Sequence, residues 1–312
     1  MSKIKLVAVV GPTASGKTDL AVMIAEKFNG EVVSFDSMQI YDFAPIATAM
    51  PTDDEMKGIP HHMLGIAKQG ENFSVSQYTE AASSIIQDIS DRGKLPVLVG
   101  GTGFYYSALI DNIKFLPEGF NKKVRQDLLS RVESEGLKTL YDELLRIDPK
   151  SAERINPNDQ KRILRGLEVY YSTGKTLTYQ RNKSRMEPSV YDPCVIGLNF
   201  RDRQKLYNRI NLRVDRMMEN GLLEEAERVI SCDRGGTGMQ AIGIKELKPY
   251  FNGQTTLCDA TEKIKQETRR YAKRQLTWFR RDERINWIFL DELCRENILK
   301  YAENIMEKYG IV

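Results

Sequence analysis

Eight consecutive residues near the start of the chain, Gly11, Pro12, Thr13, Ala14, Ser15, Gly16, Lys17 and Thr18, satisfy the pattern G-x-x-x-x-G-K-[ST]. Glycines let such a loop wrap a phosphate, while successive backbone N–H groups and a following helix N-terminus present positive charge to it. Lys17 adds a full charge, and the Thr18 hydroxyl suits a Mg²⁺ ion bridging phosphate oxygens. The pattern predicts a bound di- or triphosphate and leaves open which one, and which bond breaks. Asp36, in EVVSFDSMQIY, ends an apolar run and is followed by hydrogen-bonding residues at Ser37, Gln39 and Tyr41. A carboxylate there is placed to take a proton from an acceptor, although an aspartate closing a strand-end turn has the same signature. Thr102 stands in GGTGFYY, where Gly100, Gly101 and Gly103 leave the backbone bare to a ligand. Arg209, Arg213 and Arg216 recur at helical spacing, which could aim one or two guanidiniums at a pyrophosphate.

Regular elements must carry these groups to one place. Ile4 to Val10 predicts a buried strand, and the residues from Asp19 onward predict a helix with Leu20, Ile24 and Phe28 on one face, so the phosphate loop lies between strand and helix. Glu31 to Phe35 and Leu95 to Val99 predict two more buried strands. In a parallel sheet their C-terminal ends, with Asp36 and Thr102, open on the crevice where ligands bind. Between them, repeated Gly and Pro predict loop over Ala44 to Gly70, and Ser74 to Asp91 predicts a helix capped by Ser74. His61 and His62 lie in that loop without a Cys or carboxylate pattern, which makes them turn or core residues rather than metal ligands.

Phe115 to Arg185 lacks strands and predicts helices over Lys122 to Glu135, Leu137 to Ile147 and Pro157 to Ser172, the last capped near Asn156 or Asn158. A helical insert of this kind would form a lid or side domain over the strand ends. Cys194 to Phe200 returns the chain to the sheet, and Asp202 to Ile230 predicts one long helix with Leu206, Ile210, Val214, Met217 and Met218 on its apolar side. A Gly-rich link, GGTGMQAIGIKEL, then leads to a basic amphipathic helix. Ile264, Thr268, Ala272, Leu276 and Phe279 mark its buried face, Lys265, Arg269, Lys273 and Arg280 line another, and Tyr271 and Trp278 are interleaved with them. Trp287 to Leu290 predicts a last strand before a closing helix to Tyr309. The expected class is α/β, a parallel-sheet core over 1–116 and 190–312 with a helical domain inserted at 117–189.

Composition narrows the setting. The 312 residues are 41% hydrophobic and 29% charged, ordinary for a chain that buries a core. Cys194, Cys232, Cys258 and Cys294 form no C-x-x-C pair, which argues for reduced thiols and against a disulfide frame or zinc site. The apolar run after Met1 to Lys5 is shorter than a signal-peptide core, and no stretch approaches the ~20 apolar residues of a membrane span. The expectation is a cytoplasmic protein with no membrane partner. Net charge is only +3, but Thr261 to Arg284 carries nine Lys or Arg against four acids, and Lys161 to Arg185 carries seven against Glu168 alone. Such concentration is either a footprint for phosphate backbones or a solvated face. Cations beside aromatics favour single-stranded or looped RNA.

Taken together, GPTASGKT at Gly11 to Thr18, DSMQIY at Asp36 to Tyr41, PHHML at Pro60 to Leu64, LVGGTGFY at Leu98 to Tyr105, NPNDQKRILRGLEVYYSTGKT at Asn156 to Thr176, AIGIKE at Ala241 to Glu246 and IKQETRRYAKRQLTWFRR at Ile264 to Arg281 resemble the tRNA dimethylallyltransferases, also called tRNA isopentenyltransferases. The resemblance runs over nearly the whole chain, in the family's order. It implies a P-loop NTPase-like core with an inserted helical domain, and transfer of the dimethylallyl group of dimethylallyl diphosphate to N6 of adenosine 37, 3′ of the tRNA anticodon. The loop would then hold the leaving diphosphate, with Mg²⁺ at Thr18. Carried over by position, Asp36 resembles the family's base at N6, Thr102 its partner near the same amine, and Arg213 the arginine that contacts diphosphate. The implied tRNA surface comprises Asp36, Ser37, Met38, Gln39 and Thr102. It continues through Arg125, Lys161, Arg162, Ile163, Leu164 and Arg165 to Gln240 and Lys245, and ends with Lys273, Arg274, Trp278 and Arg280. The target adenine must leave the anticodon stack, so it is expected flipped into a channel. The resemblance further implies a monomer. No Cys/His cluster follows Arg281, which points to the bacterial type.

The sequence departs from the family at two positions. Met50 stands where a Lys is usual, and Gly65 where an Asp is common. Three other readings use the same residues: a P-loop kinase for a small alcohol with Asp36 as base, a prenyltransferase for free adenine nucleotide, and an RNA-binding protein without activity. The first gives the basic, aromatic-bearing helix no role, the second leaves the RNA-facing segments idle, and the third leaves intact catalytic groups unused.

Overall fold

Val- and Leu-rich runs of five to nine residues, together with one two-residue edge strand, pair into a single all-parallel sheet in the computed structural model, which describes residues 3–115, 122–184, 187–232 and 235–312. The strands are β1 (Ile4–Val10), β2 (Gly30–Ser34), β3 (His61–His62), β4 (Leu95–Val99), β5 (Tyr191–Asn199) and β6 (Ile285–Phe289), in the order β3-β2-β4-β1-β5-β6. Register is fixed along β1, where Val7 faces both Val97 and Cys194. Such strands are covered on both faces, and Leu6 to Val10 are fully buried accordingly. Because every strand runs the same way, the loops after β1, β2, β4 and β5 leave from one edge.

The chain divides into two units, Met1–Ile110 with Ser189–Val312, and Asp111–Pro188. The division was expected at 117 and 189; position 117 lies outside the described residues, as does Arg185. In the first unit, α1 (Lys17–Lys27) buries Leu20, Ala21, Ile24 and Ala25 on one sheet face. The expected loop over 44–70 holds α2 (Pro45–Thr48), α3 (Asp53–Met56) and the edge strand β3. Polar sequence and short length hid these elements, each of which is set by a partner. Glu225 accepts from Ile46 N–H at 2.9 Å and Ala47 N–H at 2.8 Å, capping α2 from far along the chain. Thr52 and Glu55 form a capping box on α3. His62 Nε2 lies 2.8 Å from the buried Glu31 carboxylate, which also receives Arg92 at 2.5 Å and Lys94 at 2.7 Å and is held well below the usual carboxylate range, Arg92 being the largest cause. The histidines are therefore part of the sheet edge. Beyond them, α4 (Val75–Asp91), capped by Ser74, and α5 (Gly103–Ile110) cover the opposite face.

The second unit is helical: α6 (Lys122–Glu135), α7 (Leu137–Ile147), α8 (Pro149–Ala152), α9 (Gln160–Thr173) and α10 (Leu177–Ser184). Its core is a separate cluster of Leu128, Leu140, Leu144, Ile163, Leu164 and Leu167. The helix expected from Pro157 starts at Gln160, because the Asp159 side chain, rather than an Asn, accepts from Arg162 N–H at 3.1 Å. Asp148 ties the turn before α8 to α10 through Thr178 Oγ1 at 2.5 Å.

Back in the first unit, the helix expected from Asp202 to Ile230 is two, α11 (Arg203–Glu219) and α12 (Leu222–Cys232), broken where Gly221 takes φ 95°. Then come α13 (Ile244–Phe251), which the Gly-rich sequence concealed, the long α14 (Leu257–Phe279) and α15 (Ile298–Lys308). The helix α14 docks on α11 through Ala272 and Leu276 against Leu206 and Ile210. No helix among the described residues is long and apolar enough to cross a membrane.

Because the second unit has its own core, Leu144→Ala should destabilise it by about 2–5 kcal/mol with little effect on the sheet. Hydrogen exchange should then quicken in α7 and α9 while the β1 and β4 amides stay protected.

Candidate active site

The loop after β1 is bent beyond what most residues tolerate. Gly11 takes φ 144°, and a Cβ there would lie 2.4 Å from Leu198 O. Ala14 is held left-handed at φ 63°. Strain of this kind persists only where the surroundings over-determine it, and here three side chains do so. Thr13 N–H donates to Gln275 Oε1 at 2.8 Å, Arg209 Nε donates to Ala14 O at 2.8 Å, and Lys17 Nζ donates to Pro12 O at 2.8 Å. The buried Ser15 hydroxyl has no hydrogen-bond partner among the described residues.

At the end of β2, Phe35 is buried and pins the turn that follows. Asp36 N–H donates to Ser34 Oγ at 3.3 Å, and Met38 N–H donates to Asp36 Oδ1 at 3.0 Å. The turn and base readings of Asp36 are thus compatible, since the residue shapes the turn and still faces the site. At the end of β4, Thr102 Oγ1 accepts from Ser37 N–H at 3.0 Å and lies 3.2 Å from Ser37 Oγ. The Tyr271 hydroxyl, from α14, is pushed up by burial first and then by Asp36.

Charge unites these pieces. Lys17 is pulled down to about 7, first by burial and then by the Arg213 guanidinium, against the attraction of Asp36. Asp36 is pushed up by burial, opposed by the Met38 N–H and by Lys17 and Arg213. Burial likewise lowers Arg213, against Asp36. Lys17, Asp36, Thr102 and Arg213 therefore meet at one sheet edge. Two cations and one carboxylate with restricted water access make a site that is short of negative charge, suited to a polyanion beside a group that gives up a proton. The donor set at Thr18 fits Mg²⁺ carried largely by a diphosphate: one hard hydroxyl oxygen in the first turn of α1, with no group of three or more His, Cys, Asp or Glu among the described residues able to cage a metal.

Residues expected on an RNA surface fall into several classes. Lys273, Arg274 and Arg280 are exposed on or at the end of α14, and Trp278 shows its ring to solvent while Nε1 donates to Ser107 Oγ at 3.1 Å. Lys265 and Arg269, expected beside them, instead face α11, with Lys265 2.7 Å from Asp215 and Arg269 2.5 Å from Asn211. Gln240 and Lys245 are exposed near a cleft of about 340 Å³. The Gln39 amide is engaged inside the fold, donating to Ala49 O at 2.9 Å. In the second unit Arg125, Lys161, Leu129 and Asn158 line a cleft, Arg162 is exposed, and Arg125 and Arg165 share the buried Glu168 at 3.5 and 3.7 Å. Ile163 and Leu164 are a correction: both are fully buried in that unit's core, so they hold α9 in place and offer RNA no surface.

Two residues at the site were missed as site residues. Tyr271 was legible only as an aromatic among cations. Gln275 carried a clearer signal, a polar residue on the face marked by Ala272, Leu276 and Phe279. The two departures from the family pattern are neighbours: a Cβ on Gly65 would lie 3.9 Å from Met50 Cε.

A family model described as IPP transferase matches residues 39–282. The chain is 48% identical over 306 residues, 96% of its length and 97% of the relative's, to a tRNA dimethylallyltransferase of Caldanaerobacter subterraneus subsp. tengcongensis. It resembles the crystal structure of the full-length tRNA isopentenylpyrophosphate transferase of Bacillus halodurans, at 40% identity and TM-score 0.73 over 99% of this chain and 98% of that one. A eukaryotic dimethylallyltransferase acting on tRNA gives TM-score 0.84 at 30% identity, covering 98% of this chain and 79% of that one.

A Lys17 pulled down to about 7 fixes a pH dependence. An anion at the loop raises that value again, so above pH ~7 binding takes up a proton and weakens as pH rises. Calorimetry of inorganic diphosphate binding in two buffers of different ionisation enthalpy should show this uptake at pH 8. It should be smaller in Lys17→Arg, whose charge does not titrate.

Proposed function

The chain belongs to the IPP transferase family, the tRNA dimethylallyltransferases, and from that premise we propose that it transfers the dimethylallyl group of dimethylallyl diphosphate to N6 of adenosine 37 of tRNA, releasing diphosphate. One observation carries the reading to these residues: a half-buried carboxylate, Asp36, lies within electrostatic reach of Lys17 of the phosphate loop and of Arg213. A phosphate site alone needs no base, whereas alkylation of an amine does.

In this reading the loop amides, Lys17 and Arg213 stabilise the negative charge that gathers on the diphosphate as the allylic C–O bond ionises. Mg²⁺, when held by Thr18 and the diphosphate oxygens, adds Lewis-acid stabilisation of the same charge. N6 bonds to the allylic carbon, and its proton passes to Asp36, a better base for having been raised by burial. Thr102, fixed by Ser37 N–H, orients the amine. Exposed Lys273, Arg274, Trp278 and Arg280 support an RNA acceptor, as do Arg125, Lys161, Arg162 and Arg165 of the second unit. We take the enzyme to be a cytoplasmic monomer; the exposed free thiols of Cys232, Cys258 and Cys294 support a reducing compartment.

The test incubates the purified protein with dimethylallyl diphosphate, Mg²⁺ and unmodified tRNA, then analyses digested nucleosides by mass spectrometry. Prenylated adenosine is expected in tRNA and not in parallel reactions with free AMP, and no phosphorylated product with ATP; the opposite pattern would overturn the reading. Asp36→Ala should cut turnover by about 10² to 10⁴ while tRNA binding survives, measured by single-turnover assay and filter binding. Lys273→Glu with Arg280→Glu should weaken tRNA binding and flatten the slope of log K against log salt by about 1 to 2, leaving diphosphate binding intact.

A further inference from the structure

The helix α14 has two occupations. Its outer side exposes Lys273 and Arg274, and the next residue, Gln275, is buried at 3% exposure and reaches into the site. Gln275 Oε1 accepts from Thr13 N–H at 2.8 Å, and Nε2 donates to Gly101 O at 3.0 Å. One amide thus clamps the phosphate loop after β1 to the loop after β4 that carries Thr102. The fit is close, since a Cβ on Gly101 would lie 2.0 Å from Gln275 Nε2. Tyr271, one helical turn earlier on the same helix, stands four residues from Gln275 and close enough to Thr102 for the two to interact electrostatically. A chain of contacts therefore runs from Ser37 and Thr102, on the acceptor side, through the adjoining Gly101 and Gln275 to Thr13, on the diphosphate side.

Resting on the prenyl-transfer reading above, we infer that Gln275 is a positioning residue that couples acceptor RNA to the diphosphate loop. Lys273, Arg274 and Gln275 are consecutive on one rigid helix, so RNA that settles on the first two fixes the third. Fixing Gln275 holds Thr13 N–H away from the ligand and sets the curvature of the loop whose remaining amides face the phosphates. The two substrates are then linked through a side chain that touches neither, and the linkage is reciprocal: RNA must tighten diphosphate by the same factor that diphosphate tightens RNA.

The experiment measures that factor. Dissociation constants of inorganic diphosphate with Mg²⁺ are determined for the full chain with and without an unmodified anticodon stem-loop RNA, and those of the RNA with and without diphosphate. In the wild type both ratios should agree, at about 5- to 150-fold. In Gln275→Met, which keeps the side-chain length but loses both hydrogen bonds, the ratio should fall toward one, whatever the change in affinity for either ligand alone. Loss of turnover at saturating substrates should accompany it, with little change in the RNA KM. A purely space-filling residue would leave the ratio unchanged, and that result overturns the inference, as does a wild type that binds both ligands independently. Should Gln275→Met fail to fold by thermal melt, Gln275→Glu decides. It keeps the acceptor for Thr13 N–H and loses the donor to Gly101 O, so a retained ratio overturns the clamp and a lost one supports it. A wild type that binds neither ligand would instead remove the prenyl-transfer reading itself.

Discussion

Charge withdrawn from water at one edge of the sheet governs the rest of the structure. Lys17, Arg213 and Asp36 are each shifted first by burial; Arg213 adds to the shift of Lys17, while the attraction between Asp36 and the two cations opposes the effect of burial. Two cations against one carboxylate leave the site short of negative charge, a state that is costly in a restricted environment unless the scaffold imposes it. The imposition is visible in the bent loop at Gly11 and Ala14, in the arginine that braces it from α11, and in the glutamine that braces it from α14. A diphosphate would supply the missing charge without moving any of these supports far. Preorganisation of this kind is where electrostatic catalysis gets its advantage, because the donors are already aimed when charge develops.

The all-parallel sheet follows from the same requirement. Groups separated by tens or hundreds of residues must reach one small volume, and parallel strands deliver their C-terminal loops to one edge. The loops after β1, β2 and β4 carry Lys17, Asp36 and Thr102, and the helix after β5 carries Arg213. Sequence periodicity made this much legible. The three strands nearest the site are short, apolar and ended by Gly or Asp, so their existence and their ends were both marked. Harder to see was whatever depends on a distant partner. The small helices over Pro45–Thr48 and Asp53–Met56 have little apolar periodicity, and the first is capped by Glu225 from far along the chain. The edge strand at His61–His62 is two residues long and is anchored by Glu31, which no local pattern announces.

The same distinction explains what was legible in the site. The phosphate loop and Asp36 are local motifs, so their residue types and spacing say what chemistry they suit. Charge on a helix is different, since its meaning depends on what the side chain faces. Lys265 and Arg269 have the same sequence character as Lys273 and Arg280, yet the first two are tied to Asp215 and Asn211 on α11, and only the last two remain on the surface. In the second unit, Ile163 and Leu164 lie between basic residues in sequence and point the opposite way in space, into the core. A contiguous run on a helix cannot form one surface, because neighbouring residues are turned about a quarter to a third of the way round the axis from each other.

The pairing of a phosphate loop with a prenyl-transfer reading is physically consistent because the loop recognises charge and shape, not a nucleotide. What selects the chemistry is the group opposite the phosphates. An attacking hydroxyl aimed at phosphorus would make a kinase; an amine aimed at the allylic carbon, with a raised carboxylate beside it, makes an alkylating enzyme in which the whole diphosphate departs. In the proposed reading Asp36 meets that second demand, carried at the end of the strand two positions from the phosphate-loop strand, with β4 between them. Thr102, in the loop after the intervening strand, is tied to Ser37, and Gln275 on α14 joins that loop to the phosphate loop. The middle strand therefore sets the distance across which the two substrates must meet. In that reading the residues joining its loop to α14 link the acceptor side to the diphosphate side.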